Sequence, residues 1–320
     1  MTLMEQARGA AAAGRAQDYA ALVERAAQAG EAEAWLEMAQ WRLGGQYGPR
    51  DVKAAHALLD KAVAAGQVAA IRLKATLVGN GTPGRRDPDK AAKLLRRIEK
   101  ADPYAAVQLA SVKAMRTPGE IRRLPVETLL ESPIIRAIRG LLSPQECNYI
   151  RILAEPQLEP SFVLDPRTGQ RIPHPVRTSS GMSFGPTAED RVIQLINARL
   201  AQVTGTRPEQ GEPLHVLRYL PGQEYRPHVD ALPGVANQRQ WTVLVYLNHG
   251  YGGGGTRFDL AGVEFAGREG DALIFRNVDE AGAGDPRTRH AGLPVTQGTK
   301  WLATRWIRAR RYHPWEEETW

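Results

Sequence analysis

A single cysteine in 320 residues, Cys147, excludes a disulfide within the chain and any multi-cysteine zinc or iron–sulfur site. Cys147 reads as a small buried residue rather than a nucleophile. Long apolar runs are missing too. No stretch approaches the roughly twenty residues that a membrane span needs. The N-terminal MTLMEQARGAAAAGRAQDYA is broken by Glu5, Arg8, Arg15 and Asp18 where a signal peptide would run on uninterrupted. The expectation is a soluble cytoplasmic protein. Charge of one sign is in small excess: 42 Lys and Arg against 35 Asp and Glu, a net +7. That balance fits an Arg-rich solvated surface and disfavours nucleic acid as a partner. The length suffices for two domains with cores of their own.

Alanine is abundant in the first third, and it recurs. Ala29-Gly30 returns as Ala65-Gly66, Ala34 as Ala70 and Ala106, and Leu22-Val23 as Leu58-Leu59 and Leu94-Leu95, always 36 residues on. A fixed period of that length signals stacked helix pairs, each burying its apolar face on the next. Gly44-Gly45 and Gly79-Asn80-Gly81 mark the turns. With Lys53-Ala54-Ala55 and Lys90-Ala91-Ala92 at helix openings, residues 1–115 resemble tetratricopeptide-like repeats of the Sel-one type. An alanine-rich helical bundle is the alternative.

Residues 116–136 carry Pro118, Pro125 and Pro133 among charges and read as a linker. Ser143-Pro144-Gln145-Glu146 has the form of a capping box with proline at the first helical position, so a helix is expected to about Ala154. Another is expected near 189–203, with apolar residues at 192, 195, 196 and 200. After Gly211 the pattern becomes short β-branched and aromatic runs between glycines, at 215–220, 241–247, 271–275 and 301–307. Such runs predict a sandwich or jelly roll. The fold class is thus α+β and multidomain: a helical repeat arm over 1–115, then a mostly β domain over 137–320 with flanking helices.

Within that domain His228 and Asp230 are two apart, so on a strand both side chains face one way. His290 is the candidate third ligand. Two imidazoles and a carboxylate suit one face of a non-haem Fe(II) and leave positions open; manganese or zinc also fit such donors. Lys300 supplies a cation of the kind a dicarboxylate co-substrate requires. Around these residues stand Val176-Arg177-Thr178-Ser179-Ser180-Gly181, Leu217-Arg218-Tyr219, the run Pro221–Asp230, Thr242–Asn248, Gly270–Phe275, His290–Val295 and Lys300–Ile307. In this order they resemble the prolyl 4-hydroxylase branch of the 2-oxoglutarate- and Fe(II)-dependent oxygenases, over residues 142–310.

The resemblance implies a double-stranded β-helix. It implies His228, Asp230 and His290 as iron ligands, and Lys300 and Tyr219 on the distal carboxylate of 2-oxoglutarate. A buried carboxylate does need a paired cation and hydrogen bonds to offset its lost hydration. The resemblance also implies O2 as co-substrate, ascorbate as a compatible reductant, and Tyr225, Arg239 and Trp306 facing the substrate. The implied activity is hydroxylation of a prolyl residue in a protein or peptide, with 2-oxoglutarate converted to succinate and CO2, and the repeats recruiting the partner. The same chemistry on a free amino acid or other small molecule, and a non-catalytic scaffold, remain alternatives. One departure stands out: the family's Gly-Gly-Glu-Thr is Gly253-Gly254-Gly255-Thr256 here. The sequence around Gly252–Gly255 lacks the Lys-Ser/Thr of a phosphate loop and reads as a turn. His56, His174, His215, His249 and His313 lack partners at ligand spacing and read as structural or exposed.

Overall fold

The computed structural model of the protein describes residues 1–164, 171–173 and 176–315. His174 lies outside them. Two compact units are present: Met1–Ala114 with Pro186–Gln194, and Met115–Gly185 with Leu195–Trp320.

In the first unit the helices are α1 (Leu3–Ala12), α2 (Ala16–Gln28), α3 (Ala32–Gly44), α4 (Val52–Ala64), α5 (Val68–Asn80), α6 (Pro88–Ile98) and α7 (Pro103–Ala114). The starts of α2, α4 and α6 step by 36 residues, the period of the sequence. The repeated punctuation explains why. Asp51 and Asp87, 36 apart, cap α4 and α6 by accepting from Ala54 N at 2.8 Å and Lys90 N at 2.9 Å. Gly45 and Gly81 end α3 and α5 in the left-handed region, at φ 73° and 84°. A Cβ on Gly81 would also come within 2.9 Å of Arg86 N. Ala7, Ala26, Ala34, Ala75 and Ala91 are buried between helices, where small side chains let the backbones approach.

Residues 116–136 are not a bare connection. Thr117 and Glu120 form a capping box for α8 (Pro118–Arg122), and β1 (Val126–Leu130) pairs antiparallel with β2 (Ile135–Ile138). The proline-rich composition hid a helix start and a strand pair, because Pro118 occupies a first-turn position where its missing N–H is harmless. Residues 186–194 group with the repeat helices. Asn80 Nδ2 donates to Pro186 O at 2.7 Å, Tyr104 OH to Asp190 Oδ2 at 2.7 Å, and Gln194 Nε2 to Thr76 O at 3.0 Å.

The second unit continues with α9 (Pro144–Ala154), β3 (Glu159–Pro160), β4 (Phe162–Leu164), β5 (Arg171–Pro173), β6 (Ser180–Phe184) and α10 (Arg191–Val203). Helix α10 begins in the segment that groups with the first unit. Then come β7 (Leu214–Tyr219), β8 (Tyr225–His228), β9 (Arg239–Tyr246), β10 (Gly252–Gly253), β11 (Thr256–Phe258), β12 (Val263–Phe265), β13 (Ala272–Arg276), β14 (His290–Gly292), β15 (Val295–Gln297) and β16 (Lys300–Arg308). Eight strands form one sheet in the order β1-β2-β13-β9-β16-β7-β6-β3, and four form a second in the order β12-β11-β14-β8. Leu217, Tyr246, Phe275 and Leu302 of the large sheet share one core cluster with Phe258 and Phe265 of the small one. The sheets therefore close on each other as a double-stranded β-helix.

The capping box at Ser143 and Glu146 opens α9 as expected. Glu146 is also buried, and Arg199 of α10 donates to it at 2.8 Å and to Leu141 O at 3.0 Å. Removing one partner of a buried pair leaves an uncompensated charge. Arg199→Ala is expected to destabilise this unit by about 3–5 kcal/mol, read as a lower thermal midpoint, with Arg199→Lys losing less. Cys147 is buried as expected, and burial pushes its thiol up to about 12.

Candidate active site

Strands β8 and β14 pair so that His228 stands opposite His290. Their rings lie 4.3 Å apart between centroids. Asp230 follows β8 by two residues. Its Oδ1 is 3.6 Å from His228 Nε2 and its Oδ2 is 3.8 Å from His290 Nε2. The three side chains offer ligand atoms all within 4.8 Å of one another.

Hydrogen bonds orient each of them. His228 Nδ1 meets Arg226 O at 2.9 Å and His290 Nδ1 meets Thr288 O at 3.0 Å, a carbonyl two residues back in both cases. A ring whose Nδ1–H donates to a carbonyl keeps its Nε2 lone pair free, so both Nε2 atoms can face one ion. Thr242 donates to Asp230 Oδ2 at 2.6 Å, and Asn277 Nδ2 donates to Thr242 Oγ1 at 2.9 Å. Thr242 and Asn277 are both fully buried. Thr242 thus fixes Oδ2, while Oδ1 is the oxygen nearer His228 Nε2.

The electrostatics agree with a metal centre. Burial opposes ionisation of Asp230, but His290, His228 and Arg239 outweigh it and hold the carboxyl well below its usual range. Burial lowers His290 to about 4, so its imidazole is neutral and competent to ligate. Two imidazoles and a carboxylate facing one point fit Fe(II).

The same pocket reaches Lys300, which faces Tyr219 across the β7–β16 pair. Lys300 is 1% exposed, and burial pulls its ammonium down to about 7. Its Nζ donates to Gly254 O at 2.6 Å and sits 5.3 Å from the ring centroids of both Tyr219 and Tyr246. Among the described residues no carboxylate pairs with it. Leu217, Leu244 and Leu302 wall the pocket, and Thr256 adds a hydroxyl. A buried cation without an anion, apolar walls, and a metal-type donor set fit a dicarboxylate that also chelates iron. Gly254 belongs to this fit: its φ is +67°, and a Cβ there would stand 3.0 Å from Lys300 Cδ.

Tyr219 is buried, its hydroxyl bonded to the Ser179 side chain, and burial raises its pKa above the ordinary phenol value. Tyr225 stacks on His228 at 3.6 Å. Trp306 lines the pocket, and its buried Nε1 has no partner among the described residues.

Arg239 does not line the pocket. Its Nε and Nη2 donate to the two oxygens of Glu212 at 2.7 and 2.8 Å, its Nη1 reaches Asp230 O at 3.4 Å, and its guanidinium covers Trp306 at 4.1 Å. Arg308 shares Glu212 at 2.5 Å. His215 stacks on Trp306 at 6.0 Å between centroids, with its Nδ1 2.8 Å from Ser183 Oγ.

Sequence reasoning missed Thr242, Asn277, Glu212 and Thr256. Thr242 shares strand parity with Gln240, Leu244 and Tyr246, so its polarity alone did not set it apart. Asn277 and Glu212 carried no signal either. Loss of an outer hydrogen-bond partner typically weakens metal binding about 10–100-fold. Thr242→Val is expected to fall in that range, measured by anaerobic Fe(II) titration.

The profile of the 2OG-Fe(II) oxygenase superfamily matches residues 214–308. Prolyl 4-hydroxylase 1 of Arabidopsis thaliana is 38% identical over 205 residues, covering 58% of this chain and 72% of that protein. Probable prolyl 4-hydroxylase 6 of the same plant is 37% identical over 199 residues, covering 54% and 68%. Among solved structures, the viral collagen prolyl hydroxylase of Paramecium Bursaria Chlorella virus-1 matches with a TM-score of 0.45 and 29% identity, over 55% of this chain and 96% of that one. The identities of 38% and 37%, over 72% and 68% of those two plant proteins, establish that the chain belongs to the 2-oxoglutarate- and Fe(II)-dependent oxygenases of the prolyl 4-hydroxylase family.

Proposed function

We propose that the protein hydroxylates a prolyl residue of a protein or peptide, with His228, Asp230 and His290 holding iron and Lys300 holding 2-oxoglutarate. The observation that carries the reading is one pocket with a convergent His-Asp-His set and a buried lysine that no carboxylate among the described residues pairs, in a chain 38% identical to a named prolyl 4-hydroxylase.

When bound, Fe(II) with 2-oxoglutarate and O2 supplies oxidative decarboxylation to succinate and CO2 coupled to hydroxylation of a C–H bond. The protein supplies position. Lys300, with the Tyr219 hydroxyl, takes the distal carboxylate and so orients the keto-acid end toward the ligands. Leu217, Leu244 and Leu302 exclude water from the span between. Tyr225 and Trp306 offer aromatic surface for a proline ring at the substrate side. Arg239, held by Glu212, sets the plane of Trp306 and braces the backbone at Asp230. The repeat unit recruits the protein that carries the proline, since stacked helix pairs present an extended surface.

The test has two parts. Anaerobic Fe(II) plus 2-oxoglutarate should give a visible charge-transfer band. Aerobic incubation with proline-containing peptides should give succinate and one added oxygen on proline by mass spectrometry. Hydroxylation of free proline in preference to every peptide would overturn the peptide reading. Absence of both band and succinate would overturn catalysis.

A further inference from the structure

We infer that the face of helix α6 carrying Lys90, Lys93, Arg96 and Arg97, continued by Lys100 in the turn that follows, is a docking surface for an acidic peptide segment of the protein partner. The inference rests on the proposal that the substrate is a protein or peptide.

The five cations are exposed. None of them forms an ion pair among the described residues. Spacings of three and four link Lys90 to Lys93 and Lys93 to Arg96 and Arg97 along one side of the helix, and Lys100 stands in the turn just past its end. The opposite side is buried through Ala91, Leu94, Leu95 and Ile98. At 1.5 Å per residue the helical part of the stripe, from Lys90 to Arg97, is about 10 Å long.

The repeats supply an internal control. Thirty-six residues earlier, on α4, the same places hold Ala54, Ala57, Asp60, Lys61 and Ala64. A further thirty-six back, on α2, they hold Asp18, Ala21, Glu24, Arg25 and Gln28. Those helices occupy the equivalent place in their pairs with mixed or neutral side chains, so packing does not require cations there. The helix dipole explains only part of the stripe. Arg96 and Arg97 in the last turn are favourable, but Lys90 sits in the first turn, at the positive end, where a cation is unfavourable. Five like charges at helical spacing also repel one another. An anionic partner offsets both.

The stripe is narrow and bracketed by carboxylates, Asp87 and Asp89 at its start and Glu99 at its end. It carries no aromatic side chain. Nucleic-acid footprints commonly engage about 6–10 phosphates, and single strands also use aromatic stacking. A short run of Glu or Asp in extended chain, about 3.3 Å per residue, matches the length and charge better.

The experiment uses the full-length protein and fluorescence anisotropy with three labelled probes: a Glu-rich peptide lacking proline, its Gln counterpart, and a single-stranded oligonucleotide of equal charge. The expected result is binding of the Glu-rich probe alone, weakening as salt rises from about 50 to 200 mM. Lys93→Glu with Arg97→Glu should weaken it at least about tenfold, while Lys61→Glu on α4 leaves it unchanged. Circular dichroism checks that the variants are folded, and the salt titration needs no variant. Equal binding of the Glu and Gln probes, or unchanged affinity in the double variant, overturns the inference. Tighter binding of the oligonucleotide overturns the peptide assignment. Because the probe has no proline, its binding does not depend on the hydroxylation reading, which the mass-spectrometric assay judges separately.

Discussion

Replacing His290 with alanine is expected to abolish iron binding and turnover together, a larger loss than the roughly 10–100-fold expected from removing an outer partner. His290 is 4% exposed and faces His228 across the strand pair, so no solvent ligand enters in the same geometry. Its ring also packs against Phe275 and Phe258, at 4.7 and 5.4 Å between centroids. The variant therefore opens a small cavity as well. The two effects separate by measurement. Thermal unfolding of the metal-free protein reports the packing loss, and the anaerobic charge-transfer band with Fe(II) and 2-oxoglutarate reports the ligand. Wild-type iron affinity in His290→Ala would sink the ligand assignment.

Lys300→Met is expected to raise the 2-oxoglutarate requirement by about two orders of magnitude, the loss of a buried charge-assisted pair, while Fe(II) binding survives. Without co-substrate the variant should be at least as stable as the native protein. The sign follows from the pKa. Lys300 titrates at about 7 in the fold, below its ordinary 10.5. Between those values the unfolded chain binds more protons, so stability rises with pH through that window, and below about pH 7 the penalty for the buried ammonium is fully present. A methionine removes the penalty and fills the space. Binding of 2-oxoglutarate needs the charged lysine, so the native affinity for the dianion should fall by up to about tenfold per pH unit above 7. Isothermal titration from pH 6.5 to 9 checks this. A flat profile in the native protein, or equal loss of iron and 2-oxoglutarate binding in the variant, would refute the role.

Most of the fold was legible because its signals are local. The period of 36 survives in helix starts at Ala16, Val52 and Pro88, since each repeat carries its own caps. The capping box at Ser143 and the strand runs after Gly211 are short-range patterns too. Residues 116–136 misled because proline content reads as a loop, although proline is tolerated at a helix start and beside a strand pair. The grouping of 186–194 with the repeat helices rests on bonds to Thr76, Asn80 and Tyr104, far away in sequence.

The site divides the same way. Residue type and spacing offered the His228-X-Asp230 pair, His290 as a third donor and Lys300 as a cation, and the ordered resemblance of the surrounding segments implied the class of chemistry. Only the tertiary structure decided which imidazole nitrogen faces the metal position, because Arg226 O and Thr288 O take the other. It alone revealed that Thr242 and Asn277 hold Asp230, and that Arg239 is engaged by Glu212 and Trp306 rather than open to the pocket. Donor type is a property of side chains and can be read along a chain. Tautomer, pairing and burial depend on which strands close on one another, and no local pattern carries that.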